Sequence, residues 1–353
     1  MVDLDGGDRG AVCCPAGSCS GRRAGGFVVK VLINPAGFQA EHLAALNRSF
    51  PGWGNEPRLR WCFGRSTGQP ADLIAIELDG VAVAGTGISY RQMMTPSGRH
   101  MLVGILTAAW SFPVRAERGI YMRMMSEAMR LIAERGGALA LGFMPQDKSS
   151  GHQLLRAGAM AAMTAYMTTP ANWQASASAA LPGTWRPCAI TPALCAELFK
   201  RLERRAGDGL RFVYPDVDAF ADQFLRRPHP VQVMIDANDD CIVVEQSPRT
   251  VSLLAALPAD GGRPSAALLK AAASLAAQEK RPLLAYASNA RAVAEAVVAG
   301  LVARPAFMTV SIASPEILSV ALSREGVAAD AQAVQTACLV ALEALHVENG
   351  DRM

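Results

Sequence analysis

Ser111-Phe112-Pro113-Val114-Arg115-Ala116-Glu117-Arg118-Gly119-Ile120-Tyr121-Met122 is the stretch on which the fold turns. An apolar strand, His100 to Phe112, runs into a proline, which cannot donate to a sheet ladder, and a short basic loop follows. From Ile120 the period becomes helical. Ile120, Met124, Ala128, Leu131 and Ile132 fall on one face, and Arg123, Glu127, Arg130 and Glu134 fall on the other at pairing distance. Gly136-Gly137 ends the helix. A helix start leaves backbone N–H groups without partners and gathers partial positive charge, so strand, glycine loop and helix make a candidate anion site. Arg115 and Arg118 add formal charge to it.

Upstream, Phe27 to Ile33 reads as a strand closed by Asn34-Pro35, and Gln39 to Phe50 as a helix carrying Leu43 and Leu46. Pro51 to Gln69 reads as a loop. Leu73 to Leu78 and Val81 to Ala84 flank Asp79-Gly80, a pair that tolerates positive φ, so a hairpin with a type I′ turn is expected. A polar loop around Arg91 to Arg99 then leads to the strand at His100. Downstream come a buried strand, Ala138 to Phe143, a short helix, Ser149 to Arg156, and a strand, Ala159 to Thr168.

Thr169 to Gly183 is rich in Ala, Ser and Pro and reads as a linker; beyond it the same order returns. Pro192 to Arg204 and Ser265 to Glu279 are helical. Val231 to Asp236, Cys241 to Glu245 and Thr250 to Leu257 are strands. Leu283 to Ala287, followed by a helix ending Val298-Ala299-Gly300-Leu301, echoes Ala138 to Phe143 and its helix ending Arg156-Ala157-Gly158-Ala159. The expected organisation is a disordered leader (1–26), a first domain (27–170), a linker (171–184), a second domain (185–313) and C-terminal helices (314–353). Each domain is a mixed α/β unit with a mostly antiparallel central sheet flanked by helices.

Composition narrows the function classes. The 353 residues carry 34 Lys and Arg against 31 Asp and Glu, a formal charge of +3, which gives no footprint for nucleic acid. Apolar runs are interrupted well before the ~18 residues a membrane span needs. The 8 cysteines are scattered, which fits reduced thiols in a cytoplasmic protein. Cys13, Cys14 and Cys19 lack a nearby fourth ligand, so no metal site is expected.

The segment from His100 to Met167 resembles the GNAT superfamily of acyl-CoA-dependent N-acyltransferases. The likeness rests on Ser111-Phe112-Pro113, the basic loop from Arg115 to Tyr121, the helix to Arg135, the strand Ala138 to Phe143, and Gly158-Ala159. With the hairpin and first helix it covers roughly 27–170. It implies that Trp110, Ser111 and Phe112 line the pantetheine arm of acetyl-CoA or another acyl-CoA through their backbones. It also implies that Arg115, Arg118, Gly119, Ile120, Tyr121 and Met122 meet the diphosphate. The sequence departs from the family at Ala116 and Tyr121 in the loop. It departs again at Leu154, where the family often has a tyrosine that protonates the leaving thiolate.

Acid–base candidates at the strand ends are Asp147, Ser149 and His152, of which His152 has the intrinsic pKa to accept a proton from an ammonium. Asp147 with Ser149 and Ser150 also reads as the cap of the short helix. In the second half, Gly261-Gly262-Arg263 precedes the corresponding helix, but Pro264 removes a donor, so this half is expected to have lost the coenzyme. Asn289 reads as an N-cap. Arg211 to Pro215 reads as a solvated loop. The function expected is transfer of an acyl group, acetyl first, to an amine of a small molecule or peptide. A homodimer stays open, and a non-catalytic binding or scaffold protein on a degenerate GNAT fold is the alternative.

Overall fold

Asp79 (φ 51) and Gly80 (φ 82) both take left-handed backbone, the pair of angles a type I′ turn requires. From that turn β2 (Asp72–Leu78) and β3 (Val81–Met94) grow as an antiparallel hairpin, flanked by β1 (Val29–Ile33) and β4 (His100–Ser111). The computed structural model describes residues 28–64, 68–112, 119–170, 172, 185–205, 209–322, 331–343, 345 and 347–352. The leader 1–26, Arg115, Arg118 and nearly all of 171–184 lie outside the described residues.

The remaining first-half elements are α1 (Phe38–Ser49), α2 (Glu56–Phe63), α3 (Ile120–Glu134), β5 (Gly137–Pro145), α4 (Ser149–Arg156) and β6 (Met160–Thr168). The second half runs β7 (Arg186–Cys188), α5 (Pro192–Arg204), β8 (Arg211–Val213), α6 (Val217–Phe224), β9 (Val231–Ile235), β10 (Cys241–Gln246) and β11 (Val251–Leu257). It continues with α7 (Ala266–Gln278), β12 (Leu283–Ala287), α8 (Ala290–Val298) and β13 (Val302–Ile312). Helices α9 (Pro315–Leu322) and α10 (Ala331–Glu343) and a 3-10 turn at Asn349–Arg352 close the chain.

All these strands join one sheet, ordered β1-β2-β3-β4-β5-β13-β6-β12-β11-β10-β9-β7, with β8 on β3. Only β4–β5 and β11–β12 are parallel pairs. The repeat of elements is therefore real in space, with one rearrangement: the two halves trade their last strands. β13 lies between β5 and β6, and β6 pairs with β12. The echo at Gly158 and Gly300 is also structural. Both take positive φ (92 and 85), and in both turns the next N–H reaches back five residues, Ala159 to Leu154 and Leu301 to Ala296, each at 3.0 Å.

Three local readings change. The loop expected over 51–69 contains α2, started by Asn55, whose side chain accepts from Arg58 N–H, with a proline in the first turn. Arg91 to Met94 belong to β3, so the turn is confined to Thr95–Gly98. Arg211 to Val213 form β8; Phe212 is buried in the cluster that holds Met93 and Val103, and Tyr214 is buried against Phe220 and Phe224 of α6, whose cap is Asp216.

Candidate functional site

β4 and β5 pair only from Leu102 to Ile105 against Gly137 to Leu141, and then separate. Just past the last pair β4 is bulged. Gly85 faces Trp110 and Gly87 faces Thr107, so Ala108 and Ala109 share one partner, Thr86. Ala108 sits at φ 59, a conformation costing an alanine about 1–2 kcal/mol, at the mouth of the wedge between the strands. Phe112 N–H donates across to Val83 O at 2.8 Å. By the alternation of an antiparallel ladder, Ser111 N–H then faces the other edge, toward the wedge.

The side chains here serve packing. Trp110 is buried and its indole N–H donates to His42 Nδ1 at 3.1 Å, which leaves the proton of His42 on Nε2, an atom with no partner. Burial lowers His42 to about 4, so the imidazole is neutral. The Phe112 ring lies under Arg48, whose guanidinium carbon is 3.5 Å from its centroid. The Trp110 and Phe112 side chains are thus engaged by His42 and Arg48.

α3 starts at Gly119, at φ 102; among the described residues no side chain caps it and a Cβ there would meet no atom within 4 Å. A helix start leaves its first backbone N–H groups without intrahelical partners. The far end of α3 is anchored. Arg135 donates to both oxygens of buried Asp72 (2.8 and 3.2 Å), which also accepts from Tyr90 (2.6 Å) and Asn34 (2.8 Å). Burial opposes ionisation of Asp72, but these donors outweigh it and hold the carboxyl below its ordinary value. Tyr90 is thus a structural residue.

Ile120 is buried, and Tyr121 and Met122 are half-buried. The Tyr121 ring packs against the cluster containing Leu154, as do Leu106, Ala109 and Met144, and its hydroxyl bonds with Ser150 at the start of α4. Burial pushes the phenol up to about 12, the Ser150 bond opposing. Tyr121 thus bridges the starts of the two helices that flank the wedge.

Asp147, Ser149 and His152 are gathered in one stretch and all are exposed. Asp147 pairs with Arg304 of β13 at 2.8 Å, and the His152 ring sits edge-on to Phe307 of β13, 6.2 Å between centroids. Asp147 and His152 thus meet β13, whereas Ser150 and Leu154 meet residues of α3 or its cluster. The expected cap of α4 is corrected: the N-cap is Lys148, and no side chain caps there.

The second half repeats the frame. β11 and β12 pair only at Val251–Leu283 and Ser252–Leu284, and β11 is bulged at Leu254. The helix start differs. Ser265 Oγ accepts from Leu268 N–H (3.4 Å) and the Glu295 carboxylate accepts from Ala266 N–H (3.2 Å), so the amides already hold an anion. Asn289 is an N-cap, accepting from Ala292 N–H at 3.0 Å. Across this wedge lies the C-terminal segment. Leu345 O accepts from Ser288 Oγ (3.0 Å) and Asn289 Nδ2 (2.9 Å), and Arg205 binds both the Glu348 carboxylate and the Ala256 carbonyl. A cavity of about 60 Å³ remains between Leu253, Tyr286 and Val347. Asp351 accepts from Tyr214 and from Glu348 N–H, and burial pushes its carboxyl up to about 7.

Sequence reading missed His42, whose only signal was a lone histidine on an apolar face, and the inward turn of residues 345–352, for which nothing in the tail signals a destination. Among the described residues no group of three or more His, Cys, Asp or Glu is placed to hold a metal, and no helix is long and apolar enough to cross a membrane.

No protein-family model and no curated protein matches this sequence. Solved structures do match in fold. A GCN5-related N-acetyltransferase from Anabaena variabilis superposes with TM-score 0.57 at 10% identity, covering 82% of this chain and 74% of that one. One from Kribbella flavida gives 0.55 at 14%, covering 84% and 74%. A tandem GNAT protein from the clavulanic acid biosynthesis pathway, in a structure without acetyl-CoA, gives 0.55 at 13%, covering 82% of this chain and 99% of its own. Two bulged, splayed strand pairs, each followed by a helix, together with these superpositions, establish that the chain has the GNAT fold, present twice in tandem.

Proposed function

We propose that the protein is an acyl-CoA-dependent N-acyltransferase that takes its donor in the first half. What supports this most directly is the start of α3: a glycine that, among the described residues, has no side-chain cap, at the wide end of the β4–β5 wedge. The amides of Gly119 to Met122, with Arg118 and Arg115, would hold the coenzyme diphosphate. The backbone of Trp110 to Phe112 would run beside the pantetheine arm. Acetyl-CoA is the donor to try first, and the acceptor is an amine of a small molecule or peptide.

In this reading the neutral amine attacks the thioester carbonyl, and a backbone amide beside the Ala108 bulge stabilises the oxyanion. Collapse breaks the C–S bond and releases the thiolate. His152 and Asp147 face β13, so the amine gives its proton to water at the mouth, and water returns one to the thiolate, Leu154 being unable to.

The test is acetyl-CoA binding followed by calorimetry and thermal unfolding. A ligand of the native state should raise the melting temperature, and Arg118→Glu should remove that rise. Absence of a rise with acetyl-CoA and longer acyl-CoAs would end the proposal. It would favour the second reading, a non-catalytic GNAT-fold protein, which the Tyr121–Ser150 bridge and Leu154 support.

A further inference from the structure

The segment that crosses the second wedge reads Val347-Glu348-Asn349-Gly350-Asp351-Arg352, with no aliphatic side chain after Val347. Val347, Glu348, Gly350 and Asp351 are nevertheless buried, and the turn at Asn349–Arg352 packs on β11, β12 and α6. Val347 closes the cavity it shares with Leu253 and Tyr286. Polar bonds hold the rest. Val347 N–H donates to Ser288 Oγ at 3.2 Å, Arg205 grips the Glu348 carboxylate, and Gln223 Nε2 donates to Gly350 O. A Cβ at Gly350 would collide with the Phe224 ring, so a glycine is what lets the segment lie this close to α6.

Polar contacts trade bonds to water for bonds to protein and gain little net, so a segment held by them opens more readily than the apolar strands beneath it. Its hold then depends on the charge of each buried group. Asp351 fastens the turn twice, accepting from Tyr214 and from Glu348 N–H. Around it stand Arg91 of β3, Arg205 after α5 and Tyr214 after β8, with Glu348 and Arg352 on its own segment. Burial pushes the Asp351 carboxyl up to about 7, against the Tyr214 bond and the two facing arginines, Arg205 and Arg91. Released into water it ionises near 3.8, so closing the segment takes up a proton. Closure is therefore firmest below about 4 and weakens by up to about tenfold per pH unit as pH rises toward 7. His346, whose ordinary pKa falls in the same range, lies outside the described residues.

We propose that residues 347–352 are an acid-latched strap, which closes the second wedge at acidic pH and releases it at neutral pH, with the Asp351 carboxyl as the latch. Release opens the cavity beside β11 and β12 to solvent. The device does not depend on acyl transfer, and its test needs no acyl-CoA.

Amide hydrogen exchange of the full chain is followed by mass spectrometry at pH 5 and pH 7.5, each rate being divided by that of an unstructured peptide at the same pH. At pH 7.5 residues 347–352 should exchange at least about tenfold faster than β10. Their protection should fall at least about tenfold between pH 5 and pH 7.5. Asp351→Asn should abolish that fall, and His346→Gln should preserve it. Tyr214→Phe removes a bond that favours the carboxylate and should carry the fall to higher pH. Protection of 347–352 equal to that of β10 at pH 7.5 would make the segment a fixed part of the core. That result, protection independent of pH, an undiminished fall in Asp351→Asn, or loss of the fall in His346→Gln would each overturn the assignment.

Discussion

The two wedges share a frame and differ in what satisfies it. At α3 the helix begins on a bare glycine; at α7 the same orphan amides are taken by Ser265 and the Glu295 carboxylate. Beside β11 and β12 the chain's own end supplies Val347, Glu348 and Asp351, where the first half has the Tyr121 bridge between its helices. Among the described residues, one duplicated helix start thus has no side-chain cap and the other is capped by Ser265 and Glu295.

Six substitutions test that contrast. Arg205→Ala should be the most damaging, because it leaves Glu348 buried without its cation; about 3–5 kcal/mol should be lost in urea unfolding. Arg118→Glu should weaken acetyl-CoA binding at least tenfold, about 1.4 kcal/mol or more, with the unliganded melting temperature unchanged.

The halves should also answer pH oppositely. Asp351 ionises near 3.8 unfolded and about 7 folded, so it is protonated in the native state between those values and stability falls as pH rises from about 4 to 7. His42 is lowered from 6.5 to about 4, so its contribution is full above 6.5 and is lost as pH falls toward 4. Comparing stability–pH curves, Asp351→Asn should remove the first slope and His42→Leu the second; parallel curves for wild type and variants would refute the assignment.

Glu295→Ala should cost about 0.5–1 kcal/mol, the worth of a carboxylate at a helix start. If Glu295 is what closes the second site, the variant should gain a second, weaker acyl-CoA site by calorimetry. His152→Ala should change turnover less than about threefold, since water replaces a poorly placed base; a large loss with an altered pH profile would restore His152 to the chemistry.

Much of the fold was legible because its signals are local. Asp79-Gly80 dictates its turn, the face of α3 is written at helical spacing, and Asn289 caps as its side chain requires. α2 was missed because its start lies in a stretch dense with Gly, Pro and Trp, although Asn55-Glu56-Pro57 carried the capping signal. The strand trade was illegible for a different reason. β6 and β13 read as ordinary strands, and their partners are chosen by packing across the whole sheet, not by neighbours in sequence. Site residues fared likewise: the spacing that gathers Asp147, Ser149 and His152 says nothing about Arg304, which arrives from 157 positions away.

The swapped position of β6 and β13 bears on how this protein is dismantled and inherited. A protease cutting between 173 and 184 would leave two fragments, each gripping a strand that completes the other's sheet, so the nicked molecule should still migrate as one particle. By the same logic neither repeat can be deleted without leaving an unsealed edge in its sibling. That interdependence gives a reason for the second copy to persist even if it turns over nothing.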